Sequence, residues 1–203
     1  MKTLGGALFV WNGISQDYCF LESIQCLLEL CDEVSIVCGG SDGTEEAVDR
    51  HIVGFGFPWP CKKIHLNTID QDTWDAYQGR EKLSHFMNEA IRRLQTDYVF
   101  SLQADEIIHE RSFDNIRKAI EMGWEAIVAK RYNLWRDPLS MLNVEQSRKP
   151  CSTEVIRLAK RRYMAYNDGE HLAVPSVNVY GGREESIEVY HVGYIRDPIK
   201  MVV

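Results

Sequence analysis

Tyr98-Val99-Phe100-Ser101-Leu102-Gln103-Ala104-Asp105-Glu106 is the stretch on which the reading of this chain turns. β-favouring residues run into a string of acceptor side chains, directly after an amphipathic helix. A strand that stops at carboxylates sets them at a sheet edge. Oxygen ligands there can hold a hard divalent cation and bridge it to phosphates. The same residues also read as a strand followed by an acidic turn, so the flanking sequence has to decide.

Upstream, strand and helix patterns alternate. Leu4 to Trp11 reads as a central strand, and Phe20, Leu21, Ile24, Leu27, Leu28 and Cys31 form an apolar helical stripe. Val34, Ile36 and Val37 mark a second strand over 33–38, and 44–51 reads as a helix. The segment 54–73 holds Pro58, Pro60 and several aromatics, which predicts irregular chain apart from a strand near Ile64. Leu83, Phe86, Met87, Ala90, Ile91 and Leu94 give the cleanest amphipathic helix. After the Tyr98 strand come a helix over 112–122 stopped by Gly123, a strand over 125–132, an irregular stretch over 133–152, and strands at 155–159 and 186–192. The first half is thus βαβα, which implies a mostly parallel sheet with helices on both faces.

Composition bounds the function. The 203 residues, 45% apolar, are enough for one domain with a full core. A formal charge of −7 disfavours a broad polyanion-binding surface, leaving only a patch from Arg148-Lys149 and Lys160-Arg161-Arg162 as a route to DNA. No apolar run approaches the ~20 residues of a membrane span. The start, with Gly5-Gly6 inside its apolar part and no small-residue cleavage pattern, reads as a buried strand and not a signal peptide. Cys19, Cys26, Cys31, Cys38, Cys61 and Cys151 show no zinc-type spacing, so reduced structural thiols and a cytoplasmic setting are expected.

In parallel sheets of this kind, ligands bind beyond the carboxyl ends of the strands. That rule gathers Trp11-Asn12-Gly13, Cys38 to Thr44, Gln103 to Glu106 and the end of the last strand at one edge. Glycines in the second segment let backbone approach a ligand and offer N–H groups to negative charge. The plainer alternative is a tight turn capping the next helix through Asp42 or Thr44. Neither a G-x-G-x-x-G after the first strand nor a G-x-x-x-x-G-K-[ST] is present, which argues against a dinucleotide fold and a P-loop enzyme.

These residues carry a family resemblance. Asp17-Tyr18, Leu21-Glu22-Ser23-Ile24, Cys31-Asp32-Glu33-Val34 and Gly40-Ser41-Asp42-Gly43-Thr44 resemble the "E-S-I…D-E-[IV]-x-[IV]-V-x-x-G-S-x-D-G-T" pattern of family 2 glycosyltransferases of the GT-A fold. Leu102 to Glu106 is similar to their L-D-A-D-[DE] metal motif. It is closer to a branch reading L-Q-A-D-E-x-I-x-E, which Ile107 to Glu110 continues. His191-Val192-Gly193-Tyr194-Ile195-Arg196-Asp197-Pro198 resembles that branch's "H-x-G-[WY]-x-R-x-P" ending, and Met201 matches a further position.

The resemblance implies a single GT-A-like domain over 1–203, a Rossmann-type mixed sheet with 1–110 as the nucleotide-sugar half and 111–203 as the acceptor half. It implies Asp105 and His191 as ligands of Mn2+ or Mg2+, the ion neutralising a departing nucleoside diphosphate. Trp11, Asn12, Gly39, Gly40, Asp42, Arg80, Gln103 and Ala104 become donor contacts, Asn12 and Gly39 near the nucleobase and ribose, with a UDP-sugar as the favoured donor. The chain departs from the pattern in two places. Cys38-Gly39 stands where most members carry a base-contacting Asp, and Gln103 replaces the first Asp of the metal motif, leaving a neutral amide as a weaker ligand. Relatives are also expected to continue past the position of Met201.

An inverting transferase needs a carboxylate to deprotonate the acceptor. Glu154 and Asp168, or its neighbour Glu170, are the candidates, whereas a retaining one needs none. Glu154 reads equally as a salt-bridge partner of Arg157 or Arg161, and Asp168-Gly169 as a turn. His109 and His171 could contact metal or acceptor, and Tyr132 and Trp135 could stack on a sugar or base. The reading is therefore a metal-dependent glycosyltransferase. A catalytically degenerate binding module and a sugar nucleotidyltransferase are the alternatives, although the latter would carry a glycine-rich loop after the first strand. Acceptor glycan, lipid-linked saccharide, protein and modified nucleobase all fit, as does a homo-oligomer.

Overall fold

The computed structural model describes residues 1–54, 60–79, 81–135, 137–141, 153–166, 169, 171–174, 179–180 and 187–195. Strands β1 (Leu4–Trp11), β2 (Glu33–Gly39), β3 (Lys63–Ile69) and β4 (Tyr98–Gln103) lie side by side in the order β3-β2-β1-β4, all parallel. Beyond β4 the sheet continues through β8 (Glu154–Lys160), β6 (Ala126–Trp135), β12 (Glu188–Tyr194) and β5 (Glu106–Ile108). β8 runs antiparallel to both neighbours, so β6 and β12 again point the same way as β1 and β4. The result is a mixed, mostly parallel α/β sheet of the Rossmann-like GT-A type.

Helices cover both faces. α1 (Phe20–Leu30), α2 (Thr44–Gly54) and α5 (Phe113–Met122) pack one face, burying Phe20, Ile24, Leu27, Val48, Ile116 and Ile120 with Leu4, Leu8 and Phe100. α4 (Glu81–Arg93) packs the other, burying Phe86, Met87, Ala90 and Ile91 with Ala7, Phe9 and Val99. The apolar stripes read from spacing are the faces that meet the sheet. Gly123 ends α5 in the left-handed conformation (φ 85°), which glycine adopts without steric cost.

Two expectations need correction, and four short strands were not read. The segment over 54–73 holds the strand expected near Ile64, β3, but its end is not irregular, since a short helix α3 (Gln71–Asp75) begins there. β3 sits at the sheet edge, with exposed and half-exposed residues along its length. The stretch after 132 is not irregular throughout: β6 runs on to Trp135 and β7 (Asp137–Met141) folds back on it, while 142–152 lies outside the described residues. Finally, the short strands β5, β9 (Ala165–Tyr166), β10 (His171–Leu172) and β11 (Val179–Tyr180) are each too brief to show a period, and exist through their partners.

Gly5 and Gly6, odd residues for a central strand, are explained by what lies over them. A Cβ on Gly5 would meet Thr96 Oγ1 at 2.5 Å and Leu94 Cδ1 at 2.8 Å, and one on Gly6 would meet Cys31 Sγ and Leu27 Cβ at 3.1 Å. Flanking segments thus pack onto bare backbone on both faces. Gly5→Ala is expected to destabilise the protein by about 1–3 kcal/mol through overpacking, read as a lower midpoint in urea at unchanged slope.

Candidate functional site

Strand order reverses between β1 and β4, since β2 and β3 lie on one side of β1 and β4 on the other. The crevice beyond the carboxyl ends at such a switch point is where this class of sheet binds ligands. β4 ends there at Gln103, the chain turns through Ala104-Asp105, and β5 leaves to pair antiparallel with β12. Val192 N donates to Asp105 O (2.9 Å), stitching β12 to the turn. His191 Nε2 consequently lies 3.2 Å from Asp105 Oδ2, with the two side chains 11% and 18% exposed. Sequence reasoning expected both residues at one site, and the geometry brings them together.

β12 changes register against β6 between His191 and Tyr194. Such irregularities re-aim side chains. Gly193 lies in that interval, and a Cβ on it would sit 2.6 Å from Asp105 Oδ2 and 2.9 Å from His191 Nε2. The glycine two residues after the histidine therefore leaves room for the pair. Tyr194 meets the imidazole edge-on at 5.0 Å, and Trp135 reaches Tyr194 at 5.6 Å. Beside the turn, Cys19 Sγ approaches Ala104 O (3.8 Å). Burial, reinforced by the Asp105 charge and only partly offset by Ser23, pushes this thiol up to about 12, so it stays protonated.

Glu106 behaves differently from the acceptor string it was read with. Its side chain is fully buried and faces Arg157, also fully buried, with Nη2 to Oε1 at 2.5 Å. Arg157 Nη2 also donates to Gln103 Oε1 (2.9 Å) and its Nη1 to Gly169 O (3.0 Å), while Gln103 N donates to Glu106 Oε2 (3.2 Å). Arg131 Nη1 adds a second positive charge 3.7 Å from Glu106. Arg157, read as a partner for Glu154, is thus bonded under the turn instead. Arg161 Nε bonds Thr96 O. Sequence inspection had no signal for this cluster beyond an arginine at an inward position of a strand.

Along β1 and β2 the donor-site candidates hold one another. Asn12 takes φ 51°, and its Oδ1 accepts from Ser41 N (2.9 Å). Gly40 has φ 124°, and a Cβ there would strike Asn12 Oδ1 at 2.2 Å. Asp42 accepts from Ser15 N (2.7 Å), Thr44 N (3.0 Å) and Thr44 Oγ1 (2.5 Å). Burial disfavours its charge, but these bonds outweigh burial and hold the carboxyl below its usual range. Its carboxylate is therefore taken up in shaping the loop, as the turn reading anticipated. Trp11 passes over Gly39, and its ring stacks on Trp74 at 4.5 Å and 6°. Trp74, from α3, also stacks on Phe9 and Phe86 and carries Lys82 Nζ 3.8 Å above its ring. Trp74 escaped the sequence reading because its segment looked irregular.

Other candidates separate. Glu154 is exposed at the start of β8, opposite Lys130 and at the same sheet edge. Arg80, Asp168 and Glu170 lie outside the described residues, as do Arg148 and Lys149. Tyr132 pairs with Tyr190 while Asn133 pairs with His191, so alternation puts Tyr132 on the face away from His191, stacked on Tyr190 at 5.1 Å. His109 Nδ1 accepts from Arg111 N (3.3 Å) at the cap of a 3-10 turn, and His171 Nδ1 accepts from Ile156 N (3.4 Å). Lys160 and Arg162 both pair with Glu125, which sets one negative charge against the basic patch. Among the described residues no group of three or more His, Cys, Asp or Glu side chains converges as a cage for a metal. No described helix is long and apolar enough to cross a membrane.

No protein-family model and no curated sequence matches the chain. Its fold is similar to crystal structures of S. aureus TarS. Residues 1–349 in complex with UDP superpose with a TM-score of 0.57 at 11% identity over 94% of this chain and 60% of that one. The same fragment with UDP-GlcNAc superposes at 0.58, 11% identity, 94% and 58%. Against a longer TarS structure the values are 0.57, 10%, 94% and 36%. The chain thus spans well under two thirds of the TarS chains it matches, and at this identity the likeness is one of fold.

Arg157→Ala would leave Glu106 charged and buried, and is expected to cost about 3–5 kcal/mol of unfolding free energy. Chemical denaturation measures this directly.

Proposed function

We propose that the chain is a metal-dependent glycosyltransferase, a single GT-A-like domain moving a sugar from a UDP-linked donor to an acceptor hydroxyl. The observation that carries the reading is the Asp105–His191 pair at 3.2 Å, assembled at the switch-point crevice from two distant segments. A likeness of fold to a protein crystallised with UDP and with UDP-GlcNAc supports the choice of donor.

The pair suits a divalent cation. A carboxylate oxygen and an imidazole nitrogen are both ligand types, and adjacent ligands of an octahedral ion about 2.1 Å away lie about 3 Å apart. Gly193 keeps the space beside them open. Asp105 and His191 would be the protein ligands, leaving the remaining positions to donor oxygens and water. Bound there, the ion would supply positive charge against the diphosphate that leaves.

The chain's own groups do the rest. The Asn12–Ser41 bond and Gly40 hold the β1 and β2 loops where nucleobase and ribose would rest, so that backbone groups there would take the place of the family pattern's Asp. Glu154, exposed at the same edge, would take the acceptor proton as the oxygen attacks the anomeric carbon.

Turnover of UDP-GlcNAc or UDP-glucose with Mn2+, followed as UDP release, tests the reading. Asp105→Ala is expected to abolish release with an unchanged circular dichroism spectrum, and EDTA to do the same reversibly. Retained turnover in either case would count against the metal role. For the base, Glu154→Gln should lower transfer by about 10²–10⁴ while UDP affinity holds.

A further inference from the structure

We infer that Gln103 is a substrate-facing hydrogen-bond donor and not a ligand of the cation, with Arg157 as the positioning residue that sets its polarity. The inference rests on the nucleotide-sugar reading and deepens it. It assigns the position of the metal motif's first acidic residue to recognition of an oxygen on the nucleoside diphosphate.

A guanidinium only donates, so the amide atom that faces Arg157 must be the carbonyl oxygen. The observed contact is Nη2 to Oε1 at 2.9 Å. Arg157 cannot shift to suit another orientation, because Glu106 and the Gly169 carbonyl hold its two terminal nitrogens and the side chain is fully buried. Flipping the amide would set N–H against N–H in a buried place and leave donors unsatisfied. The nitrogen Nε2 is therefore the end left over, and it has no partner among the described residues. Gln103 is half-buried at the end of β4, beside Phe9 of β1, at the carboxyl edge where the switch-point crevice lies.

A cation on Oε1 would also have to sit against the guanidinium already bonded to that oxygen, and like charges at such range repel. Position 103 consequently offers N–H where an aspartate would offer negative charge. Asn12 repeats the pattern at the end of β1. Its Oδ1 is taken by Ser41 N–H, so its amide nitrogen is the free end. Two amides whose oxygens are already bonded leave N–H groups as their remaining ends at this edge, with Asp105 supplying the carboxylate. Such an edge suits an acceptor-rich anion, as a diphosphate is.

Gln103→Glu separates the two roles, since it keeps an oxygen for Arg157 and exchanges only the outward N–H2 for a second, charged oxygen. Calorimetry with UDP in EDTA, and Mn2+ binding to the nucleotide-free protein by electron paramagnetic resonance, read them independently. The expected result is UDP affinity in EDTA reduced tenfold or more, with Mn2+ affinity unchanged. Gln103→Met, with neither donor nor strong acceptor, should weaken UDP in EDTA as well, and serves if the glutamate variant does not fold. Unchanged UDP affinity together with tighter Mn2+ binding in Gln103→Glu would make position 103 a metal-facing one and overturn the inference while leaving the glycosyltransferase reading intact. A wild-type protein that binds no UDP, with or without Mn2+, would overturn both.

Discussion

A buried ion pair, Glu106 with Arg157, is the constraint around which the site is organised. Neither side chain reaches solvent, and each is costly to bury alone. Their partners spread the charge: Arg131 approaches the carboxylate, while Gln103, its own backbone N–H and the Gly169 carbonyl take the remaining contacts. The pair ties β5 to β8 directly beneath the Ala104-Asp105 turn. With Glu106 pinned inward, the residue before it is presented at the sheet edge. A buried pair that need not add net stability thereby gives one conformation to the turn.

From that turn the architecture follows in order. β5 leaves antiparallel and recruits β12 from the far end of the chain, delivering His191 beside Asp105. The change of register after His191 and the bare Cα of Gly193 make the approach possible. The late strand thus completes an edge that the early strands begin. On the other side of the switch point, Asn12, Gly40, Ser41 and Asp42 form a self-supporting pair of loops. Trp11 and Trp74 close that end with stacked rings, Trp11 lying over Gly39.

Much of this was legible because it rests on local periodicity. The stripes of α1 and α4, the buried run of β1 and the stop at Gly123 follow from side-chain spacing and backbone sterics. The placement of Asp105 and the Gly40 loop at one edge follows from the general rule for parallel sheets. The pairing of Asp105 with His191 came from ordered motifs and not from spacing. The interpretation of Glu106 as one more edge acceptor failed, since nothing near it in sequence announces Arg157. Trp74 was missed for a related reason: a one-turn helix carries too little apolar pattern to stand out from a loop.

By itself, then, the sequence determined the alternation of strands and helices, the sheet edge that holds the candidate site, and the candidate carboxylate and imidazole. These depend on chain sterics and on burial of apolar faces, which neighbours in sequence already specify. Only the tertiary structure decided which acidic residue turns inward, which end of the Gln103 amide faces out, and why Gly193 follows His191. Those outcomes are set by groups from β8 and β12 arriving across the sheet, and the direction of a buried charge or amide is chosen by the partner it meets there.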